Sequence, residues 1–213
     1  MMNIFQFSIR GWGWLLTKIN HCQFKHIHKT ARVHYTAKVY NPSNLYMDEQ
    51  TNIDADALIM NTRARLVIKK NSGAAVGLIV VTGNHMSVVG KSLKQIDDKI
   101  KDSLDVNHEM DKDIIVEEDV WIGSRVTLLS GVTIGRGCEV GSGSVVRLNT
   151  PPYSVVIGNP AKVVGFRFSP EEIIEHERIL YDEKDRIPEA ILQKNYEKYF
   201  LKRMKDIKQF SKI

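Results

Sequence analysis

Residues 120–146 read VWIGSRVTLLSGVTIGRGCEVGSGSVV, and two apolar columns emerge at a spacing of six. One holds Val120, Val126, Val132, Cys138 and Ser144; the other holds Ile122, Leu128, Ile134, Val140 and Val146. Glycine returns on the same period at Gly131, Gly137 and Gly143. A helix of 3.6 residues per turn would scatter these columns around its circumference. A flat sheet of period two has no use for a glycine every sixth residue. A short fixed period marks a solenoid. Its physical solution is a coil of three short strands per turn, with the aliphatic column pointing into a prism-shaped core. Glycine allows the tight corners because it has no Cβ to clash at positive φ.

A weaker copy lies upstream, where Ala31, Ala37 and Ser43 repeat by six, as do Val33, Val39 and Leu45. The phase slips at 47–50 and resumes with Thr51, Ile53, Ala57 and Ile59. Between 60 and 84 it degenerates, although Leu66, Ile68, Leu78 and Val80 keep the stretch apolar. Residues 86–112 are polar and break the period between two stretches of repeat, which predicts an excursion from the coil. Beyond Gly165 the pattern turns helical, with Ser169 as N-cap, Pro170 at the first helical position and Glu171 and Glu172 in the first turn. A second, lysine-rich helix is expected from about Pro188, its lysines forming a solvated face. The expected organisation is a capping segment over 1–30, a parallel β-helix over 31–166 with a protruding loop at 86–112, and a helical extension over 167–213.

The two cysteines, Cys22 and Cys138, form no CxxC pair, so a disulfide framework is excluded and a reducing compartment is the default. The net charge of +5 suits a polyanionic partner: nucleic acid, anionic lipid or a phosphate-bearing cofactor. No apolar run approaches the roughly 18–20 residues that spanning a membrane requires. The start, MMNIFQFSIRGWGWLLTKINH, has a faint signal-sequence character, but Arg10, Gly11 and Gly13 interrupt it and no small-residue cleavage site follows. Its Phe5, Phe7, Trp12, Trp14 and Leu15 suit a cap over the open end of the coil, with an interfacial membrane helix as the rival reading.

With the hexads, the segment Val120-Trp121-Ile122-Gly123-Ser124 and the later Ile157-Gly158-Asn159-Pro160-Ala161-Lys162-Val163-Val164 in view, the sequence resembles the hexapeptide-repeat acetyltransferases. Within them it is most similar to the sugar O-acetyltransferases of galactoside, maltose and surface-polysaccharide type. The resemblance is strong over residues 113–166 and weaker over 30–85. It implies a mainly β, left-handed parallel β-helix that assembles as a homotrimer. It also implies acetyl-CoA lying in grooves between subunits, with acetyl transferred to a hydroxyl of a sugar or surface-glycan precursor. No metal and no nucleic acid enter that chemistry, and the place implied is the cytoplasm, with peripheral contact at the inner face of the membrane allowed.

By position, His85 in Thr82-Gly83-Asn84-His85 matches the family's general base. A sugar hydroxyl is a poor nucleophile, and an imidazole can take its proton as the oxygen attacks the thioester. The cofactor-binding positions implied are Trp121, Ser124, Ser142, Arg147 and Lys162, with Asn84 and His108 on the acceptor side. Asn84, Glu109, Glu117, Glu118 and Asp119 all remain open as the group that orients His85, and a corner N–H at Gly123 or Gly141 as the oxyanion donor. Cys138 fits the small inward column as inert packing. The longer excursion, the longer C-terminal tail and the missing N-terminal substrate-capping domain set this chain apart from the galactoside and maltose enzymes, so acceptor identity does not carry over. Same-fold rivals are an acyltransferase acting on serine, an amino sugar or a xenobiotic, a zinc carbonic anhydrase, and an inactive scaffold trimer.

Overall fold

In the computed structural model, three sheets, hydrogen-bonded from each coil to the next, form the walls of a prism. The structure describes residues 4–199 and Leu201, with side chains from residue 12 onward. The first face stacks His26–Ile27, Leu45–Met47, Leu66–Ile68, Ile114–Val116 and Thr133–Ile134. The second stacks Arg32–Val33, Asn52–Ile53, Gly73–Ala74, Trp121–Ile122, Glu139–Val140 and Ser154–Gly158. The third stacks Lys38–Val39, Leu58–Met60, Ile79–Val81, Thr127–Leu129 and Val145–Val146. All these pairings are parallel, and the register puts like on like. Ile53, Ala74, Ile122, Val140 and Val156 thus form one continuous inward stack, and Ile59, Val80, Leu128 and Val146 another. Every residue of both stacks is buried.

Both hexad columns point inward. The aliphatic column fills the middle of each wall, and the smaller one fills the corners between them, where Val120, Val126, Val132, Cys138 and Ser144 are all buried. The phase slip has a plain cause. The first-face strands Leu45–Met47, Leu66–Ile68 and Ile114–Val116 each bury their first and third residues, and the coils from Val33 to Ile53 and from Ile53 to Ala74 run to 20 and 21 residues, against 18 from Ile122 to Val140. Where the repeat fades, residues 60–81 nonetheless continue the coil. Only Ser43 leaves its column, exposed beside the short 3₁₀ turn Pro42–Asn44.

The ends differ from expectation. Helix α1 (Ile4–His21) leads directly into the strand His26–Ile27, so the coil begins before residue 31. The described members of the expected cap do not cap: Trp12 and Trp14 are 65% and 61% exposed, Leu15 is also exposed, and Phe24 enters the core instead. The reason is that α1 turns its small and polar side to the coil. Gly13 lies against the Tyr35 ring, and the Asn20 amide donates to the Val33 carbonyl at 3.3 Å. The side chains of Phe5 and Phe7 lie outside the described residues.

At the other end Ser154–Gly158 turns through Asn159 and Pro160, joined by a cis bond, into the antiparallel strand Ala161–Phe166. The excursion carries α2 (Asp98–Leu104), capped by the Asp97 side chain. Helix α3 (Pro170–Leu180) starts with the expected Ser169 cap, completed by Glu172 as a capping box. With α4 (Glu189–Tyr199) it docks on the coil through a buried phenol. Tyr153 is fully buried and donates to Glu177 Oε1 at 2.5 Å. Glu177 also accepts from Arg136 at 3.0 Å and from the Ile187 N–H at 2.9 Å. Burial and the neighbouring carboxylate push the Tyr153 phenol far up, so it stays a donor. The extension is thus locked to the last coil, with Arg136 bridging to Glu118 at 3.1 Å.

Two corner glycines separate backbone strain from packing. Gly137 and Gly143 both have positive φ, 69° and 73°. A Cβ on Gly137 would fall on the Tyr153 ring, whereas one on Gly143 would meet nothing within 4 Å. Gly143→Ala should cost only the left-handed penalty of roughly 1–2 kcal/mol. Gly137→Ala should cost clearly more and loosen the helical extension. Chemical denaturation of both variants reads this, and equal losses would contradict the docking described here.

Candidate active site

The third-face strand Ile79–Val81 delivers Thr82-Gly83-Asn84-His85 to the corner where the excursion departs. His85 is exposed, makes no hydrogen bond among the described residues, and lines a cleft of about 650 Å³. Met60, Val81, Leu93 and Ile96 give that cleft apolar walls, while Thr62, Asp97 and Asp98 give it polar ones. The wall carrying Leu93, Ile96, Asp97 and Asp98 belongs to the excursion, so the inserted segment makes half of the cavity.

A buried charge network holds that wall in place. The Lys101 ammonium, on α2, donates to the Asn84 carbonyl and to Asp111 Oδ1, each at 2.6 Å. Arg63 Nε reaches Asp111 Oδ2 at 2.6 Å, and the same guanidinium pairs with Asp102. The Asn84 N–H and side-chain amide bind Asp111 and the Met110 carbonyl, at 3.2 Å and 2.9 Å. Burial opposes ionisation of Asp111, but hydrogen bonds from Lys101 and Arg63 outweigh it and hold the carboxyl below its ordinary value. The residue before His85 is thereby clamped through both backbone and side chain.

The other groups considered as orienters are engaged elsewhere. Glu117 accepts from Lys69 at 2.7 Å, Glu118 from Arg136, and Asp119 from Arg167 at 2.7 Å, while Glu109 pairs with Lys112. Nor are the proposed oxyanion donors free, since the Gly123 and Gly141 N–H groups bond the Val140 and Val156 carbonyls at 2.8 Å each. The coil ladder consumes them, as it must wherever a corner residue begins or ends a strand. His108 sits exposed at a left-handed turn (φ 53°) and does not line the cleft.

The cofactor positions fall into two groups. Ser124 and Ser142 stack on adjacent coils at the corner between the second and third faces, the Ser124 N–H donating to Ser142 Oγ at 3.2 Å. Glycine at 123 lets the next coil close against this corner, because a Cβ there would sit 2.7 Å from the Ser142 nitrogen. The terminal hairpin continues the same edge: Lys162 pairs with Ile157, which lies over Gly141. Trp121 projects from the second face, about half exposed. Arg147, by contrast, follows the third face and shares His85's corner, two rungs or about 10 Å along the axis. Between the two corners lies a three-residue strand, about 10 Å of backbone. Within one chain, then, His85 and the Ser124–Ser142 edge are kept apart.

Arg125, Arg147 and Lys162 are exposed and make no ion pair among the described residues, so cations stand ready at both corners. Sequence reasoning missed Arg125. It missed the Arg63–Asp111–Lys101 network too, whose members are separated by up to 48 residues. The one local signal was Asp97 before the run DKIKDSL, an N-cap marking the helix that carries Lys101. Cys138 is fully buried, and burial pushes its thiol up, as inert packing requires. Among the described residues no group of three His, Cys, Asp or Glu side chains is placed to hold a metal ion.

The sequence profile of the bacterial transferase hexapeptide (six repeats) matches residues 113–147. A maltose O-acetyltransferase from Clostridium difficile 630 superposes with a TM-score of 0.57 at 20% identity, over 78% of this chain and 90% of that one. The chain has the left-handed hexapeptide-repeat fold. A hexapeptide-repeat acetyltransferase from Vibrio cholerae shares that fold at 22% identity, 76% and 92% coverage and a TM-score of 0.57. So does a variant of an N-acyltransferase from Bacillus cereus in complex with dTDP and coenzyme A, at 16% identity, 76% and 95% coverage and a TM-score of 0.57. Curated protein sequences give no match.

Removing the Asp111 carboxylate would leave the buried Lys101 ammonium without its counter-charge and take one of the carboxylate partners from Arg63, a loss of about 3–5 kcal/mol. Asp111→Ala should therefore free residues 86–112 to exchange amide hydrogens while the coil stays protected. Acid should act the same way. Because the folded carboxyl titrates below the unfolded one, its stabilisation is present above the ordinary carboxylate range and lost as pH falls through the folded value. Hydrogen exchange followed against pH tests both, and an excursion that stays protected in Asp111→Ala would contradict the clamp.

Proposed function

We propose that this protein transfers an acetyl group from acetyl-CoA to a hydroxyl of a sugar or surface-glycan precursor, with His85 as general base. One observation carries the proposal: His85 is an unengaged imidazole at the mouth of a cleft whose far wall is held by buried charge. In the reaction His85 takes the acceptor proton as the hydroxyl oxygen attacks the thioester carbon. The tetrahedral intermediate then collapses, the C–S bond breaks, and the proton passes from His85 to the departing thiolate. Asn84 and the carboxylates of Asp97 and Asp98 offer acceptor hydroxyls hydrogen-bonding groups.

The donor fits the open edge of the coil. Ser124 and Ser142, stacked on successive coils, offer a polar track for an extended pantetheine chain, and Trp121 supplies an apolar surface. Lys162, Arg147 and Arg125 suit the phosphates. The acetyltransferase from Vibrio cholerae solved with acetyl-CoA, similar at 20% identity and a TM-score of 0.54, supports this reading. Because His85 and the Ser124–Ser142 edge occupy different corners, we infer a homotrimer in which the base of one copy meets the donor track of its neighbour. Acetyl-CoA and the sugar then meet between subunits.

An amino-sugar acceptor is the second reading, favoured by Asp97 and Asp98 in the cleft, which would also attract an ammonium group. The similar Bacillus cereus protein is itself an N-acyltransferase solved with dTDP.

Thiol release from acetyl-CoA over a panel of sugars, nucleotide sugars, amino sugars and serine tests the assignment. With the productive acceptor, His85→Ala should lose on the order of 10²–10⁴ in kcat while acetyl-CoA affinity holds. Equal rates in wild type and a folded His85→Ala protein would remove His85 as the base.

A further inference from the structure

Over residues 12–20, helix α1 carries its apolar side outward. Trp12, Leu15, Leu16 and Ile19 recur at i, i+3, i+4 and i+7, the spacing of a single helix face, and all four are exposed. The stripe turned toward the coil is Gly13, Thr17 and Asn20, each partly buried. A soluble helix normally does the reverse, and an exposed apolar stripe of this kind marks a contact surface. Trp14 flanks it, 61% exposed, with the Lys18 ammonium 3.9 Å from its ring centroid.

Charge identifies the partner. Residues 1–47 contain six Lys and Arg and not one Asp or Glu. The rest of the chain carries 24 Lys and Arg against 25 Asp and Glu, so the whole net positive charge resides at this end. The basic groups Lys25, Lys29 and Arg32 sit on the first coil beside α1. Acetyl-CoA does not account for this, since the cations near its proposed track lie on the other coils.

We infer that α1 and the first coil dock on an anionic lipid surface, with the Trp12–Leu15–Leu16–Ile19 stripe among the acyl chains and Lys18, Lys25 and Lys29 at the headgroups. Helix α1 lies in the interface and does not cross it, and no described helix is long and apolar enough to span a membrane. A nucleic acid would answer the charge but leave the apolar stripe in water. A second copy would cover the stripe but bring like charges together at one end. A lipid surface satisfies both features, with tryptophan suited to the headgroup boundary. This inference stands apart from acetyl transfer and survives if that reading fails.

The test is co-sedimentation of the full chain with vesicles of phosphatidylcholine, alone or mixed with phosphatidylglycerol. Binding is expected only to the mixed vesicles and should fall with added salt. Replacing Trp12, Leu16 and Ile19 together by serine should weaken binding at least about tenfold. Lys25→Glu/Lys29→Glu should weaken it about tenfold in low salt while leaving the apolar stripe intact. The replaced side chains are exposed, so circular dichroism and thermal midpoint should match wild type. No binding to mixed vesicles, or binding untouched by both variants, would overturn the inference. A serine variant that changes oligomeric mass in sedimentation velocity without altering vesicle binding would also overturn it, by assigning the stripe to another copy.

Discussion

Backbone hydrogen bonds between successive coils, about 4.8 Å apart, govern this molecule. They force residues one coil apart to stack in register, so that Ile122 meets Val140, 18 positions on, and Ala74, 48 positions back across the excursion. The inward side chains then fill a continuous column with no room for polar groups beyond small ones such as Ser144. The same ladder dictates where chemistry can occur. Wall positions alternate in and out, and most corner N–H groups are spent on the neighbouring coil. Outward side chains and interruptions of the ladder are what remain for function.

The excursion at 82–113 is the main interruption, and it is anchored unlike the coil. A coil is held by apolar stacking and parallel pairing; the excursion is held by Lys101 and Arg63 converging on one buried carboxylate. Such a network is costly to bury and costly to break, and it fixes geometry more than it adds stability. Here the geometry fixed is that of Asn84 and, through it, the approach of His85 to the cleft. The other end follows the same logic, where Tyr153, Glu177 and Arg136 join the helical extension to the last coil.

Much of this could be read from sequence because the period is local. Columns such as Val120–Ser144 repeat every six residues and each member faces the same environment, so the coil was legible wherever the hexads ran unbroken. Where the first-face strands bury two residues, the period shifts by two or three and the repeat disappears from view though the coil continues. His85, Ser124, Ser142 and Lys162 are singled out by motif resemblance alone, and their arrangement on two separate corners is not legible there, because it depends on how many strands lie between them. The Arg63–Asp111–Lys101 network was invisible for a related reason: it joins residues that only folding brings together, with no spacing to announce it. The aromatic residues of α1 were misread as a cap because composition shows that a helix is amphipathic but not which side meets the protein.

The central claim is that one site is shared between copies, the base coming from one corner and the donor track from another. Subunit mixing addresses it most directly. His85→Ala removes the base, and Ser142→Trp blocks the donor track, so each homo-oligomer should be inactive. Co-expressed and purified as mixed oligomers, the two variants should regain part of wild-type acetyl-CoA turnover, because some interfaces pair an intact His85 with an intact track. Mixed oligomers as inactive as their parents would place base and donor track within a single chain and contradict the account.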